Sequence, residues 1–387
     1  VLSQITNVGR FPHAAGIVAA TLISVNALGC TPKPAPAPVE PRRWTTYMAD
    51  AGRAPSAGEP LPDSLVELWE EKVGRSPTGA AALGDSIIVT MSSDRWLVVA
   101  LRATGDRVWR NRLKGPGATG PLFTGEAVYA ASGDSRGRVY AYDLPTGEKL
   151  WDAIIGPVTG PIALSRSTVY AATRTGWLFA LDRSTGEPRW TRPFPGALRA
   201  GVSMVEDRLA VATDDSLFLV SARDGTVEAS GPTSGTVFSA PALASGALLV
   251  SSPDGFITAF DSRSLDVLWE LPTGEPVFGS PAVSRDTVYA VTLGGTLWQI
   301  PLAGPGGARA RNLGTAVRAS PTPFAGGLLI GTVEGEILWL APLELEPRWR
   351  RQFRGPIEEP PLVEDGVLFI LDGEGKLHAW GAPVAEQ

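Results

Sequence analysis

The side chains best suited to acid–base or nucleophilic work at neutral pH are scarce here: one cysteine, Cys30, and two histidines, His13 and His378, among 387 residues. A single cysteine excludes an intrachain disulfide and any multi-cysteine metal site. A Ser-His-Asp arrangement needs a histidine placed as base. His13 falls in an N-terminal segment of targeting character, and His378 in a final alternating run beside Trp380, where a packed structural imidazole is the simpler reading. Calcium requires roughly six to eight converging oxygen ligands. Asp134, Asp254 and Asp372 instead recur beside turns, where a carboxylate serves backbone N–H groups. With 40 acidic residues, chance carboxylate pairs carry no information about glycosidic acid–base chemistry. No phosphate-cradling glycine loop or HExxH helix occurs in a useful setting. The residues predict no catalytic, cofactor-binding or metal site, and a protein that is not an enzyme.

The net charge of −6 comes with 34 basic residues spread along the chain rather than gathered in a stripe, which argues against nucleic acid as a partner. The opening VLSQITNVGRFPH carries Arg10 and leads into the apolar AAGIVAATLISV and then NALGC. That order matches a secretory signal over 1–29. The apolar run is short of the roughly 20 residues that span a bilayer. TPKPAPAPVEPRR follows, a proline-dense and semi-rigid spacer, so 30–43 reads as a linker. Cysteine at this seam resembles the lipoprotein pattern, in which cleavage leaves an acylated N-terminal cysteine, and Cys30 is the expected lipidation site. A cleaved signal with a free thiol and an uncleaved anchor are the alternatives. Thr31 follows where an aspartate would signal retention, which resembles outer-membrane sorting. The expected location is the cell envelope, lipid-anchored at the outer membrane and facing the periplasm.

Behind these features lies a ruler of forty residues. Prolines stand at 121, 161, 241, 281, 321 and 361, and Ala81 and Gly201 fill the two remaining places. Each interval holds four short alternating runs separated by turn signals, the grammar of a four-stranded propeller blade. Trp69, Trp109, Trp151, Trp190, Trp269 and Trp349 repeat in register, with gaps at Ala229 and Arg309. The fourth unit, 201–240, lacks both proline and tryptophan and is expected to pack differently. The last unit has room for three strands, and LVELWEEKV at 65–73 is a strand without a blade. Together they complete a ring: an all-β, eight-bladed propeller over 44–387, closed by its N-terminal strand. Seven blades would follow if the fourth unit were an insertion.

In AYDLPTGEKLW, residues 141–151, Asp143, Gly147 and Trp151 look like a reactive cluster, but ALRATGDRVW, ALDRSTGEPRW and AFDSRSLDVLW repeat the pattern elsewhere. Residues that recur blade after blade build the fold. Val139 and Ala141 are expected to face one neighbouring blade, and Tyr140 and Tyr142 the other.

These tryptophan repeats resemble those of pyrroloquinoline-quinone-type propellers, and WTTYMADAGRAP, 44–55, looks like the segment preceding their first strand. With the lipoprotein signal, short linker and single ring, the chain resembles the BamB family of outer-membrane assembly lipoproteins. That resemblance implies a noncatalytic scaffold without cofactor. Its partner would be a membrane protein complex containing a BamA-like barrel-assembly subunit. A Leu-Arg pair in the loop entering the fourth blade is part of that family's partner-binding surface, and Leu198 and Arg199 match it in FPGALRAG. The next such loop is acidic in the family, whereas SGTVFS at 234–239 is not. Accessory subunits of other envelope complexes, sensory propellers and quinoprotein dehydrogenases are the alternative readings.

Overall fold

Short alternating runs rich in Val, Leu, Ala and aromatic residues, bounded by glycine turns, become strands buried on both faces. The computed structural model describes residues 60–342 and 344–383. These form eight four-stranded antiparallel sheets, seven of them built from consecutive strands. The eighth joins Leu362–Glu364, Val367–Leu371 and Lys376–Gly381 to the strand Val66–Lys72, which pairs antiparallel with Lys376–Gly381. The ring is thus closed by its N-terminal strand, as the sequence predicts. Blades 1 to 7 span 82–112, 122–154, 163–193, 203–232, 242–272, 282–312 and 322–352.

Strand register corrects the forty-residue ruler in two blades. The residues opening the first strands are those that pair seven positions downstream: Ala82 with Val89, Leu122 with Tyr129, Ala163 with Tyr170, Ser203 with Ala210 and Ala242 with Leu249. The place before each is Ala81, Pro121, Ile162, Val202 and Pro241. Pro161 and Gly201 therefore sit one residue early, and two buried aliphatic residues take the proline place. The long turn 132–137 of blade 2 introduces the offset, and the short turn 213–215 of blade 4 removes it.

The repeated tryptophan and glycine form one device. Trp109 of blade 1 donates its indole N–H to Leu144 O of blade 2 at 2.7 Å, and Trp151 does the same to Arg183 O of blade 3 at 2.9 Å. Under each ring lies the glycine of the next blade's last turn. A Cβ at Gly147 would come within 2.8 Å of Trp109, and one at Gly186 within 2.5 Å of Trp151. These glycines have φ of 73° and 76°, the left-handed region where L side chains are strained. Asp143 holds the turn from inside, accepting from the Thr146 N–H at 2.9 Å.

Blade 4, expected to differ, is regular. Ala229 pairs with Leu219 beside the same bulge that accompanies the tryptophans of other blades. The missing indole is replaced from across the interface: Leu265 of blade 5 stands at the glycine place, φ 61°, and is buried in one cluster with Ala229. Leu345 takes the same place in blade 7, buried with φ 58°, opposite blade 6, which has Arg309 at the repeat position of the tryptophan. Blade 6 is the irregular one, with a four-residue last strand, Arg309–Asn312, after the short 3-10 turn Pro305–Gly307.

Between blades, the two faces of each sheet feed different cores. Val139 and Ala141 pack toward blade 3 with Val169 and Leu181, and Tyr140 and Tyr142 toward blade 1 with Val89 and Leu97. The loops leading from one blade into the next meet the second turn of the blade they leave, as in Leu198 N–H to Thr173 O at 3.3 Å. One end of the ring is therefore lined by interblade loops and second turns, both fixed by main-chain bonds.

Candidate functional site

Leu198 and Arg199 lie in the loop entering blade 4, and the structure gives them different parts. Leu198 has no accessible surface and packs with Tyr170, Leu178 and Val202. Its carbonyl accepts from Thr159 Oγ1 at 2.6 Å. A buried side chain in a doubly bonded backbone cannot touch a partner directly, so Leu198 seats the loop. Arg199 points outward with about a third of its side chain exposed; its Nε donates to Asp214 Oδ1 at 2.9 Å and its guanidinium lies 5.7 Å from the centre of the Phe238 ring. Phe238 belongs to SGTVFS in the next loop and is 46% exposed. The family's acidic residues are thus absent from a loop that instead offers an exposed aromatic ring.

The place held by Arg199 recurs in each interblade loop, and the other seven occupants are Thr78, Ala118, Thr159, Phe238, Phe278, Arg318 and Glu358. Arg and Phe occur only in blades 4 to 7. Arg318 repeats the cation–aromatic contact, 5.5 Å from the Phe278 ring, and reaches Glu358 at 3.9 Å. Two guanidinium–phenyl pairs on consecutive loops make a surface of the kind partners use as binding anchors, planar cations backed by apolar rings. The sequence points to Arg199 through a family motif. It gives no local sign of Phe278 or Arg318, because the equivalence of these places emerges only once the blades are in register.

One residue further along, the loops carry Gly79, Thr119, Gly160, Ala200, Ser239, Gly279 and Ala319, and in blade 8 Glu359. Glu359 Oε1 accepts from the Gly79 N–H at 2.7 Å across the seam between blades 8 and 1. Burial pushes its carboxyl up to about 7 against the pull of that N–H, with Glu358 adding to the rise.

His378 is packed as the sequence suggests, but not among apolar neighbours alone. Nδ1 lies 2.7 Å from Glu67 Oε1 on the closing strand, Nε2 lies 3.2 Å from Asp372 Oδ2, and the Phe353 ring meets it edge-on at 4.9 Å. Burial alone would lower the imidazole pKa; hydrogen bonds to Asp372 and Glu67 outweigh it and raise the value. Asp372 is held low despite burial by His378 and by the Lys376 N–H it accepts at 2.8 Å. Glu70 is lowered by Lys376, whose ammonium bonds both its oxygens at 2.7 and 2.9 Å.

Donor atoms of Glu67, Glu70 and His378 lie within 4.8 Å of one another. Each is already matched to an opposite charge or a proton, so the cluster works as an ionic clasp on the closing strand. The sequence could not reveal it, because Glu67 and His378 are 311 residues apart. Of the other turn aspartates, Asp254 accepts from the Thr236 N–H at 3.0 Å. Asp134 leaves its Oδ1 buried without a partner, so it departs from the expected turn role. Cys30, the 1–29 signal, the 30–43 linker and the 44–55 segment lie outside the described residues. Among the described residues no helix is long and apolar enough to cross a membrane.

Eight closed blades, six of them with the repeat tryptophan at the interblade joint, define a propeller of the pyrroloquinoline-quinone repeat class. A family model described as "Outer membrane protein assembly factor BamB" matches residues 66–152, 135–228, 195–297 and 284–382, and the chain belongs to that family. BamB of Burkholderia pseudomallei is 29% identical over 175 residues, which cover 41% of this chain and 45% of that protein. BamB of Moranella endobia is 22% identical over 268 residues, 60% of this chain and 69% of the relative. The chain thus matches less than half the length of the first relative and about two thirds of the second. Solved proteins of different kinds share the fold. BamB from Moraxella catarrhalis has a TM-score of 0.56 at 15% identity, covering 84% of this chain and 99% of that one. Quinohemoprotein alcohol dehydrogenase from Comamonas testosteroni has 0.71 at 12%, covering 89% and 82%. Catalytic and assembly proteins thus both use this ring, and the ring itself does not choose between them.

Proposed function

We propose that the chain is a noncatalytic scaffold of the cell envelope that helps outer-membrane β-barrel proteins assemble, held at the membrane by a lipid on Cys30. It docks a BamA-like barrel-assembly subunit on the face carrying Arg199 and Phe238. The observation that carries this reading is the pair itself: an exposed guanidinium over an exposed phenyl ring, at loop places where blades 1 to 3 have only Thr78, Ala118 and Thr159. Family membership supports the assembly role. Leu198 contributes by fixing the loop from beneath. Exchange of the family's acidic loop for Phe238 shifts the expected contact from ion pairing toward aromatic and guanidinium packing.

Gentle detergent extraction followed by mass spectrometry of the intact complex tests both halves. The reading expects a barrel-forming subunit bound to the chain and acyl mass on Cys30. A retained quinone or calcium ion would contradict the noncatalytic role. A different envelope complex would keep the scaffold and remove the barrel-assembly partner.

A further inference from the structure

Between the closing strand and blade 1 runs a groove of about 180 Å³. Its walls carry Lys72 from the end of the closing strand, Arg75 from the loop that follows, and Arg107 and Arg110 from the last strand of blade 1. The acidic residue in its wall is Asp94, with Trp96 as the aromatic surface. In a chain of net charge −6 this concentration of cations is unusual.

The cations are only partly spent, although Arg75 is attracted to Asp94 within the groove. Arg107 is taken by Glu71, which stands outside the groove. Lys72 donates to the main-chain carbonyl of Glu374, a neutral partner, and its charge is offset only at longer range by Asp372, which stands outside the groove. Arg110 lies over Trp96, its guanidinium carbon 4.6 Å from the ring centre, a contact that holds the guanidinium without neutralising it. Asp94 is engaged by Ser92 Oγ at 2.6 Å and by the main-chain N–H of Arg75 at 2.9 Å. Among the described residues, neither Arg75 nor Arg110 has a carboxylate within salt-bridge distance.

Most other blades do without these residues. Three places after the residue that ends the outer strand, where blade 1 is entered through Arg75, the loops into blades 2, 4, 5 and 8 carry Gly115, Gly196, Gly235 and Gly355, and those into blades 3, 6 and 7 carry Pro157, Glu275 and Thr315. The partners across the last two strands in blade 1 are Val98–Arg110 and Trp96–Arg112; in blade 3 they are Phe179–Thr191 and Trp177–Pro193. Blade 7 also has arginine, Arg350, at the place of Arg110, but the blades with glycine and threonine at these places show that the fold does not require arginine there.

We propose that this groove is an anion site that takes a phosphate group, with Arg75 and Arg110 supplying forked N–H donors and Lys72 a point charge. Guanidinium geometry suits two phosphate oxygens at once, and a cation already held over an indole loses little freedom on binding. A groove of this size admits a phosphate with a few attached atoms, which fits a phospholipid headgroup or a small soluble phosphate. A ligand there would bridge the closing strand to blade 1 and strengthen ring closure.

Two probes separate the sources: pyrophosphate, followed by isothermal titration calorimetry, and vesicles of phosphatidylcholine with or without phosphatidylglycerol, followed by co-sedimentation. Wild type is expected to bind at least one probe, with affinity falling as salt rises. The Arg75→Gly/Arg110→Ala variant, whose first change installs the residue other blades use, is expected to bind at least tenfold more weakly with unchanged circular dichroism. Pyrophosphate binding alone assigns a soluble ligand, and vesicle binding that depends on phosphatidylglycerol assigns a headgroup. Equal binding by wild type and variant, or no binding of either probe by wild type, would overturn the site.

Discussion

Gly147 lies beneath the indole of Trp109, close enough that a Cβ would approach the ring to 2.8 Å, in a backbone with φ of 73°. A sequence motif that combines Asp, Thr, Gly and Trp is thereby explained as an interblade joint. Gly147→Ala is expected to destabilise the ring by roughly 2 kcal/mol or more, since it combines left-handed strain with overpacking. Urea unfolding monitored by circular dichroism measures it.

The joint has a reciprocal form at Ala229 and Leu265. Ala229→Trp alone should lower the thermal midpoint, because Leu265 already fills the space. Ala229→Trp with Leu265→Gly should recover most of the loss, a coupling that a double-mutant cycle reads directly. Additive losses would show that the two side chains do not share one cavity.

The clasp on the closing strand makes ring closure depend on pH in both directions. His378 is raised, so its contribution is complete below its ordinary value of about 6.5 and fades as pH rises through the higher folded value. Glu70 and Asp372 are lowered, so theirs is complete above the ordinary carboxylate range and is lost on acidification. Hydrogen exchange over Val66–Lys72 should be slowest, after correction for the intrinsic rate, between roughly pH 5 and 6.5. His378→Gln should remove the alkaline limb and leave the acid limb.

Glu359 acts at the other seam contact. Its carboxyl, pushed up to about 7, favours the neutral form, so stability is present below the unfolded carboxylate value and lost as pH rises through about 7. Glu359→Gln keeps an acceptor for the Gly79 N–H without the charge. The variant should melt about 2 °C or more above wild type at pH 8 and close to it at pH 4. A lower midpoint at pH 8 would show that the ionised carboxylate is needed.

Blade number, strand content and ring closure were legible because they depend on residues that recur: alternation, turn glycines and tryptophans at a near-constant interval. What escaped depends on pairs that sequence keeps apart. In sequence Ala229 reads as a defect because its compensation, Leu265, sits in the next blade. Pro161 reads as a register mark because proline is conspicuous, whereas Ile162 takes the buried place. His378 reads as a packed residue, which it is, but its partner Glu67 belongs to a strand at the other end of the chain. At the candidate docking face, the motif led to Leu198 and Arg199 together; only packing separates the seated leucine from the exposed arginine, and only register brings Phe238 and Arg318 to equivalent places.

The scaffold account is tested most directly by the dissociation constant between the purified propeller and the soluble periplasmic portion of a BamA-like subunit, for wild type and for Arg199→Glu. The account predicts saturable binding by wild type and a loss of at least tenfold in the variant, with unchanged circular dichroism. Absence of binding by wild type, or equal affinity for both proteins, would contradict it.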